Sequence, residues 1–179
     1  TLFAFSTENW LREEGEVRDL ISLFFDALEE QTPELRDEKV KLNFIGDISR
    51  FNKKLIKQIE KSKKLTEEYD PKLNLIIAAS YGGKWDIINA IKKFHADKKN
   101  KELNENSLEN YLETKSFPNP DLIIRSGGEK RLSNFYLWQS SYSELFFSDK
   151  LWPDFNLKDF DTALEDFQSR KRKFGVETG

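Results

Sequence analysis

Residues 121–147, DLIIRSGGEKRLSNFYLWQSSYSELFF, gather anion-binding chemistry directly behind an apolar run. Arg125 and Arg131 carry planar forks of donors that suit phosphate oxygens, and Ser133 adds a hydroxyl. Gly127 and Gly128 let the chain turn sharply, because glycine takes positive φ without steric cost. Such a turn can present backbone N–H groups as an anion nest. The bland alternative is a loop of solvated charges, but the placement after a buried strand, with glycines and a serine, favours an anion site. The spacing matches neither a P-loop nor a G-x-G-x-x-G dinucleotide turn, so a nucleotide is not the expected ligand. Glu144 closes an aromatic segment that holds Phe135, Tyr136, Trp138 and Tyr142. Its carboxylate is either a strand-edge charge or an oxygen ligand for a hard cation such as Mg²⁺. Ser6 and Asn9, in STENW, are residue types that cap a following helix. His95 reads as a helix-face residue rather than a catalyst. The basic run RKRKF at 170–174 reads as a solvated helix end, where cations favour the carbonyl terminus.

The elements that would position these residues alternate between strand and helix. Strands are expected at residues 2–5, at 40–44, where apolar and polar residues alternate, at 73–80 (LNLIIAAS), at 121–124 and at 144–147. Val17, Leu20, Ile21, Phe24, Phe25 and Leu28 mark an amphipathic helix that Pro33 bends or ends. Leu55, Ile56, Ile59 and Leu65 mark a second helix, Trp85 to His95 a third, and residues 156–173 a last one. This order predicts an α/β fold, a mostly parallel central sheet flanked by helices, in one domain over residues 1–179. In such sheets ligands bind beyond the carboxyl ends of the strands. Three polar loops leave strands there: STENW, SYGGKW and RSGGEKRLS.

Composition narrows the chemistry. With 37% hydrophobic and 34% charged residues among 179, the chain is globular rather than disordered. A net charge of −3 gives no global attraction to nucleic acid, so anion binding must be local. The absence of cysteine removes disulfides, thiolate catalysis and cysteine metal sites, and a single histidine removes a multi-histidine centre. No apolar run reaches the ~20 residues of a membrane-spanning helix, and no signal peptide is visible. The expected location is the cytoplasm. The chain opens on TLFAF and contains no methionine, so a further N-terminal portion is expected.

Beyond their chemistry, FAFSTENW, DLIIRSGGEKRLSNFYLWQ and LFFSDKLWPDF together closely resemble the cis-prenyltransferase family, whose bacterial members are undecaprenyl diphosphate synthases. IGDISRF, YGGKWDI and RKRKFG extend the likeness over nearly the whole chain. The resemblance implies condensation of isopentenyl diphosphate onto an allylic, farnesyl-type diphosphate, with Mg²⁺, to make an undecaprenyl-like lipid carrier. Arg125, Arg131 and Ser133 match the family's pyrophosphate-binding residues, and Glu144 matches the carboxylate associated with Mg²⁺. Ser6 and Asn9 match catalytic positions that place the substrates and the departing proton. Trp10, Arg12 and Glu16 match substrate-binding neighbours on the same loop. Ala4, Leu42, Leu73 and Ile77 are candidates to line an apolar tunnel, with ordinary core as the equal alternative. The family also implies a homodimer with residues 135–147 near the interface, a tail at 170–175 that reaches the partner's phosphate site, and a product that partitions to the membrane, with the enzyme at its inner face.

Three departures from the family pattern stand out. Glu13 follows Arg12 where proline is usual, and Ser80 precedes YGG where many members carry asparagine. The D-G-N-x-R-W stretch that supplies the catalytic aspartate is not in these 179 residues, so this stretch alone is expected not to elongate chains and to leave a sheet edge open. A non-catalytic accessory subunit is therefore the alternative function. Retention of Arg125, Arg131, Ser133 and Glu144 argues against it.

Overall fold

The LNLIIAASY segment forms β3 (Leu73–Tyr81), the centre of a three-stranded parallel sheet ordered β1-β3-β2 in the computed structural model of the protein. The structure describes residues 1–67, 70–97 and 102–172. β3 is apolar on alternate and intervening positions alike, with Ile76, Ile77, Ala78 and Ala79 all buried, as a central parallel strand requires. β1 (Leu2–Ser6) and β2 (Val40–Ile45) flank it, and β2 pairs in even register from Val40↔Leu73 to Ile45↔Ala78.

The apolar stripe of α1 (Glu14–Asp37) and that of α2 (Lys53–Glu67) form the core with this sheet. Val17 and Leu28 meet Leu55 and Ile59 in a cluster that includes Phe5, Leu42, Phe51, Ile77 and Ala79. Fully burying each of the larger side chains, Ala79 apart, stabilises by about 1.5–3 kcal/mol. Pro33 does not end α1, which continues to Asp37. Proline removes the N–H that would bond the Glu29 carbonyl, yet the adjoining turn is held from its buried side. Thr32 Oγ1 donates to the Leu28 carbonyl and lies 2.8 Å from Ser62 Oγ on α2. The helix stops where Lys39 takes φ +59 and the Glu38 and Lys39 N–H groups return to the carbonyls of Glu34 and Arg36. α3 (Gly83–Ala96) and a short α4 (Glu105–Glu109) follow β3.

The chain divides into two compact units, Thr1–Lys115 and Ser116–Gly179. In the second, β4 (Leu122–Arg125) and β5 (Glu144–Phe147) pair in parallel from Leu122↔Glu144 to Arg125↔Phe147, and α5 (Leu157–Ser169) contacts β5. Asn156 and Asp159 close a reciprocal capping box at the start of α5. α5 ends at Ser169, short of the expected 173, because Arg170 turns to extended backbone and sends its side chain back onto β5; Lys173 lies outside the described residues. α4 and the 3₁₀ turns Thr7–Leu11, Ile48–Arg50 and Trp152–Asp154 were not foreseen, being too short to show a period.

Of the four tunnel candidates, Leu42 and Ile77 are core residues, whereas Ala4 and Leu73 are exposed, Leu73 at 58%. Leu73 begins its strand before the helices cover it, and Ala4 sits where the β1–β3 register slips between Phe3 and Phe5. Among the described residues no helix is long and apolar enough to cross a membrane.

Candidate active site

In the first unit, the turn after β1 is built by a reciprocal box. The Ser6 N–H donates to Asn9 Oδ1 at 2.7 Å, and the Asn9 N–H donates to Ser6 Oγ at 3.2 Å. The capping expectation therefore holds, on a 3₁₀ turn rather than on α1. The oxygens of both side chains act as acceptors in the box, which leaves the Ser6 O–H and the Asn9 amide NH₂ as the donors each can offer a ligand. Trp10 sits one residue on. Its ring meets Phe5 and Phe51 with centroids 4.9 and 5.3 Å away, the Arg50 guanidinium lies 4.7 Å above it, and its indole N–H donates to Ser80 Oγ at 3.0 Å. Arg12 and Glu16 form an i,i+4 ion pair with each other, half-exposed, at the start of α1.

In the second unit, Arg125 ends β4 and donates from Nη1 to Ser133 Oγ at 2.6 Å and to the Arg131 carbonyl. Ser133 and Asn134 both take left-handed backbone, φ +48 and +61. Two successive non-glycine residues in that region are costly, and such strain gathers at functional sites. Arg131 pairs with Glu129 and keeps 63% of its side chain in solvent. Thus Arg125 and Ser133 are brought together, while Arg131 contributes its carbonyl and holds its guanidinium outside.

Gly127 and Gly128 do adopt positive φ, +97 and +75, as expected of the turn. The anion nest is not there, however. The Gly127 N–H donates to the Lys150 carbonyl at 2.7 Å and the Gly128 N–H to the Ser148 carbonyl at 2.9 Å. Both donors are spent on fastening the turn to the segment after β5, so neither glycine N–H is left to receive an anion.

Glu144 opens β5, at the opposite end of the strand pair from Arg125. Three residues of offset amount to about 10 Å. Its carboxylate, 26% exposed, accepts from Arg170 Nη1 at 2.6 Å, and Arg170 also reaches Asp166 and the Leu145 carbonyl. The hydrogen bond to Glu144, and after it that to Asp166, raises the pKa of this guanidinium above its ordinary value against the opposing effect of burial. Arg172 pairs with Asp121 at 2.5 Å and donates to the Tyr142 carbonyl. Two arginines of the basic run are therefore not solvated: Arg170 folds back onto Glu144 and Leu145 of β5, and Arg172 onto Asp121 just before β4, because carboxylates offer charge-assisted bonds, while Lys171 stays exposed. Residues 173–175 of the expected tail lie outside the described residues.

Among the described residues no three metal-ligating side chains gather. Mg²⁺ needs no such cage, since it is commonly held by one or two carboxylates together with substrate phosphates and water. Glu144 supplies one suitable carboxylate, presently shared with Arg170.

Two further polar residues owe their settings to the fold alone. Arg50 reached no expectation because only the fold sets it over Trp10. Asp86, fully buried, accepts from the Tyr81 hydroxyl at 2.9 Å and from the Glu113 N–H at 2.9 Å. Its one signal was a carboxylate amid aromatic and apolar neighbours. His95 lies exposed on the last turn of α3 against Phe94, as a helix-face residue should.

The prenyltransferase family model described as undecaprenyl diphosphate synthase matches residues 1–175. An isoprenyl transferase of Neisseria meningitidis serogroup A is 48% identical over 98% of this chain and 70% of its own length. A (2E,6E)-farnesyl-diphosphate-specific ditrans,polycis-undecaprenyl-diphosphate synthase of Haemophilus influenzae is 47% identical over 98% and 75%. Among solved structures, lavandulyl diphosphate synthase from Lavandula x intermedia, in complex with dimethylallyl diphosphate, superposes with TM-score 0.92 at 35% identity, over 97% of this chain and 77% of that one. A probable undecaprenyl diphosphate synthase from Campylobacter jejuni gives 0.87 at 38%, over 98% and 82%. With its parallel strands, its Arg125–Ser133 turn and these likenesses, the chain belongs to the undecaprenyl diphosphate synthase family of prenyltransferases.

Proposed function

We propose that this protein is a cis-prenyltransferase that extends an allylic, farnesyl-type diphosphate with isopentenyl diphosphate toward an undecaprenyl-like lipid carrier. The observation that carries the proposal is the Arg125–Ser133 contact of 2.6 Å, held by a strained turn at the end of β4, a half-buried strand of which Ile123 alone is buried rather than the wholly buried run expected. In the reaction a bond forms between the terminal alkene carbon of isopentenyl diphosphate and C1 of the allylic chain. The C1–oxygen bond to pyrophosphate breaks, and one proton leaves the condensing unit. Arg125 and Ser133 present donors to the diphosphate of the isopentenyl substrate, and Arg131 swings from Glu129 to join them. Oriented cations of this kind stabilise charge that gathers on phosphate oxygens. Ser6 and Asn9, rigid in their box, offer the O–H and NH₂ donors of the first unit to the reacting groups. Mg²⁺ is part of the proposal: Glu144 would hold it, after release from Arg170, and it would neutralise the pyrophosphate leaving group.

The family model runs through both compact units in one match, which supports treating them as a single prenyltransferase domain. A homodimer, a cytoplasmic location at the inner face of the membrane, and a tail that serves the partner's phosphate site complete the proposal, on the resemblance alone.

The test is steady-state condensation of farnesyl and isopentenyl diphosphates by the intact protein. Arg125→Ala and Arg131→Ala each remove a charge-assisted contact worth about 1.5–3 kcal/mol, so kcat/KM for isopentenyl diphosphate should fall roughly 10- to 100-fold. Unchanged parameters in both variants would overturn the assignment.

A further inference from the structure

Strand β3 does not pair evenly with β1. Phe5 faces Ala79 and Ser6 faces Tyr81, which leaves Ser80 as an extra residue between them. This bulged serine takes φ +53 and is fully buried. Bulges near active sites re-aim a side chain, and a buried non-glycine residue held in left-handed backbone persists only where its contacts offset the cost. The contacts of Ser80 come from the loops after two other strands. Its hydroxyl oxygen accepts from the Trp10 indole N–H at 3.0 Å, and its carbonyl accepts from the Asp47 N–H at 3.1 Å. The rest of the Trp10 ring meets groups that grip less directionally: Phe5, Phe51 and the Arg50 guanidinium.

We propose that Ser80 is a positioning residue, whose hydroxyl locks the ring of Trp10 and so sets the placement of the Ser6–Arg12 turn and of Arg50 toward the substrates. The inference rests on the prenyltransferase reading of that turn. Loss of the hydroxyl leaves a half-buried indole N–H without this acceptor and frees the ring to turn. The Ser6–Asn9 box and the Arg12–Glu16 pair survive the change, so the turn stays folded while its placement loosens. Loosened placement of reacting groups lowers turnover, whereas a diphosphate held through Arg125 keeps its affinity.

The experiment uses the intact protein with Ser80→Ala, Ser80→Gly and Ser80→Asn. Glycine removes the hydroxyl and also relaxes the left-handed backbone, so it reports even where alanine folds poorly. Asparagine tolerates that backbone and carries a carbonyl acceptor. The first readout is the Trp10 indole N–H signal in ¹H–¹⁵N spectra, identified by its loss in Trp10→Phe. Its hydrogen exchange should speed up at least about tenfold in the alanine and glycine variants and recover in the asparagine variant. The second readout is kinetic. kcat should fall about tenfold without the hydroxyl, KM for isopentenyl diphosphate should stay within about twofold, and asparagine should restore kcat.

An indole N–H equally protected in all variants overturns the lock. So does a lowered kcat that asparagine fails to rescue and that tracks the unfolding temperature, which would make Ser80 merely structural. If Trp10→Phe lowers turnover while Ser80→Ala and Ser80→Gly do not, the positioning role alone is wrong. If none of the three affects turnover although the N–H exchange responds, the error lies in the substrate-facing assignment of the turn, and the inference falls with it.

Discussion

Glu144 shows how one side chain can have two claims on it. In the structure it neutralises Arg170, and in the proposed reaction it releases that arginine to ligate Mg²⁺. Glu144→Gln removes the charge at nearly constant volume, so both roles are lost together but at different readouts. Turnover should fall about 10-fold or more and should respond less to Mg²⁺ in a titration, as expected for loss of a charged ligand. Stability should fall only modestly, since a partly exposed ion pair contributes about 0–1 kcal/mol. Wild-type activity across the Mg²⁺ titration would reduce Glu144 to a strand-edge partner of Arg170. The candidate side chains could be named by type: Arg125 and Ser133 because a phosphate needs donors, and Glu144 as either a strand-edge charge or an oxygen ligand for a hard cation. Their pairings could not, since Arg170 is 26 residues from Glu144 and Trp10 is 70 from Ser80.

At the scale of elements, the ends of strands are the sensitive places. Gly46 follows β2 with φ +113, and a Cβ there would stand 2.1 Å from the Ala79 carbonyl oxygen. Gly46→Ala must therefore move the backbone of β3 just before the Ser80 bulge. Destabilisation of at least ~2 kcal/mol is expected, measured as a shift in the denaturant midpoint at unchanged slope. An unshifted midpoint would mean that the β2 and β3 ends do not approach this closely. The start of α5 carries a pH-dependent clasp. The hydrogen bond from Lys150, then that from the Asn156 N–H, holds the Asp159 carboxyl below the ordinary carboxylate range. A depressed folded pKa gives stability that is present above the unfolded value and is lost as pH falls through the folded one. Asp159→Asn should thus lower the unfolding temperature at neutral pH, and the gap to wild type should close below about pH 4. A gap independent of pH would show that the charge of Asp159 does not matter. The strands could be read from short apolar runs and, at 40–44, from a period of 2, and the long helices from a period near 3.6. The path of α1 past Pro33 was not, because Thr32 and Ser62 meet only after α1 and α2 have packed.

For the whole molecule, the dimer is the open structural claim. Light scattering at micromolar concentration should return twice the chain mass, and a monomer would remove the proposed service of one tail to its partner's phosphate site. The exposed Tyr142, within the aromatic segment, is consistent with a surface that association would cover. The amino-acid sequence by itself determined the α/β class, the parallel pairing and the family, because residue types, periodicity and a dense block such as RSGGEKRLSNF are local properties. Tertiary structure alone decided which donors are spent and which remain. It closed the glycine nest with carbonyls from residues 148 and 150, folded Arg170 onto Glu144, and bulged Ser80 beneath Trp10. The physical reason is that a hydrogen bond is made once, to whichever partner the fold brings near, and that neighbour lies far along the chain.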